Sequence, residues 1–343
     1  MADSLKKLMD KGKDNSGIII IILVIVLVCI FIIYVYANLK KRTFNCQVLN
    51  NIKKSTVINV NSPDSVGNAY TEQISNCNIK TAYNCCCTGD FVNDYVDYCG
   101  LLNCAKQGFR ALDFEIFSLN GQPVVAESTQ TNKNYKEMYN SLPFYNAMNM
   151  VKRYFIQDTL NCPNVNDPLF LIFRFKTDNS AIFDSMAQTL NTLFGNGSSL
   201  GNMLYVAQAP FNLDTTVVSD LVKKVIIIVD ITGLTNFESS KLNMITCLTL
   251  GTLNNQIYRE TDLMSNVLND SNSTYIEKFK TNLNVIYPDV SSTSDNYDFI
   301  TSGINTGIQF IGINAQTNDS YLTSYNTAIF NDYAIIKRTI TYT

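Results

Sequence analysis

The 343-residue sequence predicts an α/β protein, a TIM-type (β/α)8 barrel preceded by one N-terminal transmembrane helix. Three observations predict it. An uncharged run of twenty residues lies near the N-terminus, from Ile18 to Ala37. Beyond it, short apolar runs of strand length alternate with stretches whose apolar residues recur at helical spacing. Acidic, amide and basic side chains collect at the C-terminal ends of those runs, where barrels of this kind place their working residues.

The elements follow in order. Residues 1–16 form a short polar tail, and residues 17–37 the span. A helix of twenty residues rises about 30 Å, the thickness of a bilayer's hydrocarbon core. Tyr34 and Tyr36 suit the interface, and Lys40, Lys41 and Arg42 stop transfer. A cleaved signal peptide would have a shorter apolar region, about 7–15 residues, followed by a small-residue cleavage site. Neither is evident. Lys6, Lys7, Lys11 and Lys13 on the other flank leave almost no positive-inside bias.

Residues 38–75 are polar and weakly periodic. They read as a stalk or linker with one short strand, Thr56 to Val60, and a turn at Ser62-Pro63-Asp64. Residues 76–343 form the barrel. Its expected strands are Ile79–Tyr83, Phe109–Phe117, Pro123–Glu127, Pro168–Lys176, Lys224–Asp230, Met244–Leu250, Leu283–Tyr287 and Gly307–Ile313. The clearest amphipathic helix is Ala181–Phe194. An open doubly wound sheet is disfavoured, because no glycine-rich phosphate loop follows the first strand.

Composition narrows the chemistry. The chain has no histidine, the side chain best poised to exchange protons near neutral pH. Six of its ten cysteines, Cys77, Cys85, Cys86, Cys87, Cys99 and Cys104, fall close together. Without histidine and with an irregular Cys85-Cys86-Cys87 run, zinc spacing is not matched. The reading is a disulfide-stapled loop region in an oxidising compartment or under a virus-encoded oxidation system; reduced, buried thiols are the alternative. Four glycosylation sequons, at Asn196, Asn269, Asn272 and Asn318, agree with exposure outside the cytosol, although an asparagine-rich chain produces several by chance. Residues 43–343 carry 19 basic and 26 acidic groups, so no long-range attraction draws them to nucleic acid.

The strand ends present Tyr83 and Asn84, Asp113 and Glu115, Glu127 to Thr129, Arg174 and Lys176, Asp230, and Tyr287. Gly108-Phe-Arg-Ala-Leu-Asp-Phe-Glu115 resembles the G-C-R-x-x-E-L-D motif of the phosphoinositide-specific phospholipase C catalytic barrel, a PLC-like phosphodiesterase family. Ile79-Lys-Thr-Ala-Tyr-Asn84 is similar to S-S-S-H-N, and Pro123-Val-Val-Ala-Glu-Ser-Thr129 to P-V-I-Y-H-G-H. Asp167-Pro-Leu-Phe-Leu-Ile-Phe-Arg-Phe-Lys176 resembles Y-P-V-I-L-S-L-E-N-H. Ile286-Tyr-Pro288, Asp295-Asn-Tyr297 and Gly307 to Thr317 look like I-Y-P, S-N-Y and G-C-Q-M-V-A-L-N-F-Q-T. Order and spacing agree from about residue 79 to 338.

The resemblance implies a divergent member lacking the catalytic histidines. Their positions map to Tyr83 and Thr129, neither of which replaces an imidazole. The family's calcium site maps to Asn84, Asp113, Glu115 and Arg174. A guanidinium beside two carboxylates takes the cation's electrostatic place, so an internal salt bridge and no cofactor are expected. If Arg174 pointed away, the carboxylates would retain a weak calcium ion. Phosphate-reading positions map to Ile228, Asp230 and Val285, with Tyr287 retained. The resemblance also implies that the recruitment modules of eukaryotic members are absent here, the N-terminal span standing in for them.

The expected function is a catalytically inactive, membrane-anchored barrel acting as a structural or interaction module. The bilayer is one partner, through Ile18 to Ala37, and proteins of unknown identity are the other. The barrel is expected on the extracellular, lumenal or virion-exposed side, and a virion membrane protein of a large DNA virus fits the composition. The alternative is a divergent phosphodiesterase or lipid-headgroup-binding domain using Asp113, Glu115 and Glu127.

Overall fold

Polar Asp113 and Glu115 alternate with Leu112, Phe114 and Ile116, and this period of two gives one strand two different faces. That strand lies near the middle of the sheet. The computed structural model describes residues 2–61, 69–206, 212–269 and 274–338. The expected turn at Ser62-Pro63-Asp64 and the sequon at Asn272 lie outside them.

The chain divides into two units, residues 1–47 and 48–343. The first is formed by helix α1, Ala2–Leu49, as far as Gln47. Its Ile19–Leu49 part is long and apolar enough to cross a membrane, with a mean hydropathy of 3.5 in its most apolar window. Its large apolar side chains from Ile19 to Tyr36 are exposed, an all-round apolar surface that no protein core covers. The helix continues past Ala37 through the first part of the expected stalk.

The second unit begins at Val48. Leu49, Ile52, Val57 and Val60 are buried in it. No strand forms over Thr56–Val60. Single hydrogen bonds pin this segment instead, Ile58 N to Asp332 O at 2.9 Å and Val60 N to Asp167 Oδ1 at 2.7 Å. Gly108, at φ +75°, lets it approach: a Cβ there would come within 2.1 Å of Val57 Cγ2. Fully buried Lys80 adds a clamp, its Nζ donating to Ser55 Oγ and, at 2.7 Å, to Gln107 O.

The barrel strands are β1 (Cys77–Ala82), β2 (Ala111–Leu119), β5 (Leu169–Phe175), β6 (Val225–Asp230), β7 (Thr246–Leu250), β8 (Ile257–Arg259), β9 (Val285–Tyr287) and β10 (Phe310–Ile313). Their order is β7-β6-β5-β2-β1-β10-β9-β8. Every neighbouring pair on this path is parallel. Among the described residues no ladder joins β7 to β8, so the TIM-type barrel is nearly closed. β11 (Ile335–Lys337) pairs antiparallel with β1.

One expected barrel strand lies elsewhere. Pro123–Glu127 contributes β3 (Gln122–Val125), which folds back antiparallel on β2 and pairs with β4 (Leu142–Pro143). The cause is the Asn120-Gly121 turn, with φ of 50° and 73°, the left-handed pair that a two-residue hairpin requires. The eighth barrel position belongs to β8, only three residues long.

Helices cover the outside. α2 (Tyr98–Lys106) starts where Asp97 accepts from Cys99 N at 3.1 Å. α3 (Phe144–Lys152) brings Phe144 against Phe173, with ring centroids 5.4 Å apart, and Phe173 meets Phe114 at 5.8 Å. Each such buried ring contributes roughly 1.5–3 kcal/mol. α4 occupies Ala181–Phe194, the stretch expected from its spacing. α5 (Glu260–Asn269) and α6 (Thr274–Thr281) fill the connection from β8 to β9, and α7 (Ser320–Ser324) follows β10.

The cysteine expectation is corrected. Cys99 is disulfide-bonded, as is Cys46, which lay outside the expected cluster. Cys77, Cys85, Cys86, Cys87 and Cys104 are buried thiols. The reason is packing. The Cys85–Cys87 backbone presses on Gly100 of α2, where a Cβ would come within 2.8 Å of Cys87 O. These thiols fill core volume as small apolar groups. Burial pushes Cys85 and Cys87 well above the ordinary thiol range, which keeps them protonated.

Candidate functional site

The polar face of β2 meets β5 in register, Asp113 opposite Ile172 and Glu115 opposite Arg174. The side chain two positions further along β5 than Ile172 therefore reaches both carboxylates. Arg174 Nε and Nη2 donate to Asp113 Oδ1 and Oδ2 at 2.8 and 3.0 Å. Its Nη1 donates to Glu115 Oε1 at 3.0 Å, and Nη2 also to Asn84 Oδ1 at 2.6 Å. Arg174 is 8% exposed, Glu115 2% and Asp113 fully buried. Burial opposes a charge on Arg174, yet Asp113, Tyr83 and Glu115 hold it protonated, above the ordinary guanidinium value. The salt bridge expected from the sequence is present.

The remaining lone pairs are also engaged. Asn84 follows β1 in the left-handed region, φ 45°, and from there its N–H donates to Asp113 Oδ2 at 3.1 Å. Tyr287, at the end of β9 and fully buried, donates its hydroxyl to Asp113 Oδ1 at 2.8 Å. Gly312 on β10 makes room for that ring, because a Cβ would lie 2.3 Å from Tyr287 Cδ1. Glu115 Oε2 accepts from Ser128 N at 2.9 Å, and Lys176 Nζ lies 3.8 Å from its Oε1. Burial pushes the Glu115 carboxyl up, and Arg174 pulls it back.

Tyr83 closes the cluster. Its ring packs on Tyr287 at a centroid distance of 4.6 Å and edge-on to Phe91 at 5.7 Å. Burial pushes its phenol up to about 12, with Arg259 and Arg174 pulling the other way. Both guanidinium carbons lie over its ring, Arg174 at 5.0 Å and Arg259 at 5.1 Å. Sequence reasoning missed Arg259. It ends β8, and Tyr258-Arg259-Glu260 has too few apolar residues to register as a strand.

Glu127 is buried at 2% exposure, and its Oε2 has no hydrogen-bond partner among the described residues. Burial, then the neighbouring Glu115 charge, raises its carboxyl well above the usual range. That favours the protonated acid.

The other expected positions do not join this cluster through any described hydrogen bond. Thr129 N and Oγ1 both donate to Glu137 Oε2 at 2.6 Å. Ile228 and Val285 are fully buried apolar residues of β6 and β9. Asp230 Oδ1 accepts from Thr232 N at 3.0 Å and from Thr232 Oγ1 at 2.6 Å, closing a local turn.

Solved structures share this architecture. PLC21 of S. officinalis and PLC21 of L. pealei each superpose with a TM-score of 0.62, at 16% and 15% identity. Each alignment covers 84% of this chain and 39% of the other, so this chain spans about two fifths of their length. A calcium-dependent phosphoinositol-specific phospholipase C from Pseudomonas sp. aligns at a TM-score of 0.46 and 12% identity, over 83% of this chain and 99% of that one. No family model and no curated protein matches the sequence. The structural likeness establishes a PLC-like phosphodiesterase fold.

Proposed function

We propose that this chain is a membrane-anchored barrel of the PLC-like phosphodiesterase fold that has lost phosphodiester chemistry and serves as a structural or interaction module. The observation that carries the reading is the Arg174 guanidinium held between Asp113, Glu115 and Asn84. A calcium ion takes six to eight oxygen ligands at about 2.3–2.6 Å. Here both Asp113 oxygens, one Glu115 oxygen and the Asn84 carbonyl oxygen already accept from a fixed cation. The residues present do not fit the metal that related phospholipases use.

Proton transfer lacks its agents as well. Tyr83 and Thr129 stand where the resemblance puts imidazoles. A phenol pushed up to about 12 does not exchange protons usefully at neutral pH. The Thr129 hydroxyl donates to Glu137, whose carboxyl would be raised by burial but is held low by hydrogen bonds from Thr129, Gln130 and Ser128. Ile228 and Val285 offer no charge to a phosphate. The rival reading, a divergent phosphodiesterase or headgroup binder, would need Asp113 and Glu115 free of Arg174.

The α1 segment of Ile19–Leu49 supplies the anchor by its length and composition. Cys46 and Cys99 being disulfide-bonded fits an oxidising compartment, which would put the barrel outside the cytosol, or a virus-encoded oxidation system. A virion membrane of a large DNA virus remains the setting that the composition favours. Calorimetry of the full chain in detergent tests the reading. No calcium binding in the micromolar range is expected, and micromolar binding abolished by Asp113→Asn would overturn it.

A further inference from the structure

The chain is rich in asparagine, so a sequon taken alone says little. The structure separates its asparagines into two groups. Asn78, Asn84, Asn103, Asn164, Asn284, Asn314 and Asn326 are buried, and none begins an Asn-X-Ser/Thr triplet. Their amides serve the fold: Asn78 Nδ2 donates to Ile308 O at 2.6 Å, and Asn103 Nδ2 to Ala315 O at 2.9 Å. The two sequon asparagines whose side chains are described, Asn196 and Asn318, are both exposed.

Asn196 is the better placed. It lies between Gly195 and Gly197 in the turn after α4, and the triplet Asn196-Gly197-Ser198 has no proline. Leu204 N donates to Phe194 O at 2.7 Å and Tyr205 N to Val225 O at 2.9 Å, so the end of α4 lies beside the start of β6, at the end of the barrel opposite Arg174 and Asp113. A large substituent there displaces nothing, since the Asn196 amide takes part in no described hydrogen bond. Beside Gly197 opens a groove of about 460 Å³ lined by Gln188, Asn191, Thr192 and Lys241. Gln188 and Lys241 offer amide and ammonium donors to sugar hydroxyls on this open surface, while Asn191 Nδ2 and Thr192 Oγ1 already donate to Ala187 O at 3.1 Å and Gln188 O at 2.8 Å.

We propose that Asn196 carries an N-linked oligosaccharide whose first sugar rests along this groove. In the transfer, Asn196 Nδ2 forms a bond to the anomeric carbon of a polyisoprenol-pyrophosphate-linked oligosaccharide. The bond from that carbon to the pyrophosphate oxygen breaks, the lipid pyrophosphate leaves with the electron pair, and the amide gives up one proton. In the folded protein, Ser198 Oγ accepts from Lys152 Nζ at 3.1 Å and from Leu200 N at 3.2 Å. The transferase must read that hydroxyl, so modification precedes folding of this turn. The inference rests on the reading that the barrel lies outside the cytosol.

The test is translation of the full chain with microsomal membranes, with and without an amidase that releases N-glycans. One amidase-sensitive mobility step is expected to vanish in Asn196→Gln and in Ser198→Ala, and to persist in Ser198→Thr, which keeps the sequon. Identical mobility of wild type and Asn196→Gln would overturn the proposal. A reporter sequon fused ahead of Met1, together with protease protection, locates any failure. Reporter glycosylation with a protease-accessible barrel would overturn the glycan through the topology. A protected barrel without the Asn196 step would overturn the glycan alone and leave the topology standing.

Discussion

Arg174 on β5 meets Asp113 on β2 through two parallel N–H···O bonds, Nε to Oδ1 at 2.8 Å and Nη2 to Oδ2 at 3.0 Å. A paired guanidinium and carboxylate in this fork are geometrically specific and well shielded. Arg174 also donates through Nη1 to Glu115 and through Nη2 to Asn84, so one guanidinium ties together both carboxylates and the amide at the barrel's mouth.

Removing that residue leaves two buried carboxylates without their cation. Arg174→Ala should destabilise the protein by about 3–5 kcal/mol, the usual cost of breaking a buried ion pair from one side. Denaturant midpoints of the full chain in detergent measure it. Arg174→Glu should be similarly unstable without metal and should regain midpoint as calcium is added, because it restores an oxygen donor to the cluster.

The Tyr287 hydroxyl donates to a charged acceptor, Asp113 Oδ1, at 2.8 Å. Tyr287→Phe should cost roughly 1.5–3 kcal/mol. Gly312→Ala should act on the same ring by crowding, since the new Cβ would sit 2.3 Å from Tyr287 Cδ1 and 2.9 Å from Ile286 O. A loss of about 1–3 kcal/mol is expected, and it should persist beside Tyr287→Phe, because phenylalanine keeps the ring carbon that the new Cβ crowds.

Glu127 has a folded-state pKa raised first by burial and then by Glu115. The fold therefore binds its proton more tightly than the unfolded chain does. Stability falls as pH rises from the ordinary carboxylate value through the folded one. Glu127→Gln, neutral at every pH, should match or exceed wild-type stability at pH 7 and lose this part of the slope. Glu115→Gln, which weakens a bond to Arg174, should destabilise at the same pH. Denaturant midpoints across pH 5–8 distinguish the two.

Asp167 is pushed up to about 6 by burial, against the pull of Arg110 and hydrogen bonds from Val60 and Asn164. Its folded value lies above the unfolded one, so the fold gains stability as pH falls through about 6 toward 4. A two-unit shift corresponds to about 2–3 kcal/mol. Asp167→Asn should remove that gain, read as a smaller rise in midpoint between pH 7 and pH 5 than the wild type shows.

Much of this was legible in the sequence because the long strands carry strong local patterns. Leu169–Phe175 and Val225–Asp230 are nearly continuous apolar runs, as strands buried on both faces must be. The Arg174 salt bridge followed from the resemblance, which sets Arg174 among Asn84, Asp113 and Glu115 where the family holds calcium, and from the charge of a guanidinium beside two carboxylates. The β2–β3 hairpin was also written in the chain, in Asn120-Gly121, but the apolar run after it was read as a separate barrel strand. Ile257–Arg259 was hidden for another reason: three residues give no periodicity, and Arg259 is placed by its neighbours β9 and Pro288, whose carbonyl accepts from it at 2.8 Å. The cysteines misled because clustering in sequence does not reveal whether sulfur atoms face one another or fill core volume.

The most direct measurement of the central claim is turnover. Full-length protein in detergent–lipid mixed micelles is incubated with phosphatidylinositol and its phosphorylated forms, with and without calcium, beside an Asp113→Asn control. The expected result is inositol phosphate release no greater than the control's under either condition. Calcium-dependent release that Asp113→Asn abolishes would contradict the account.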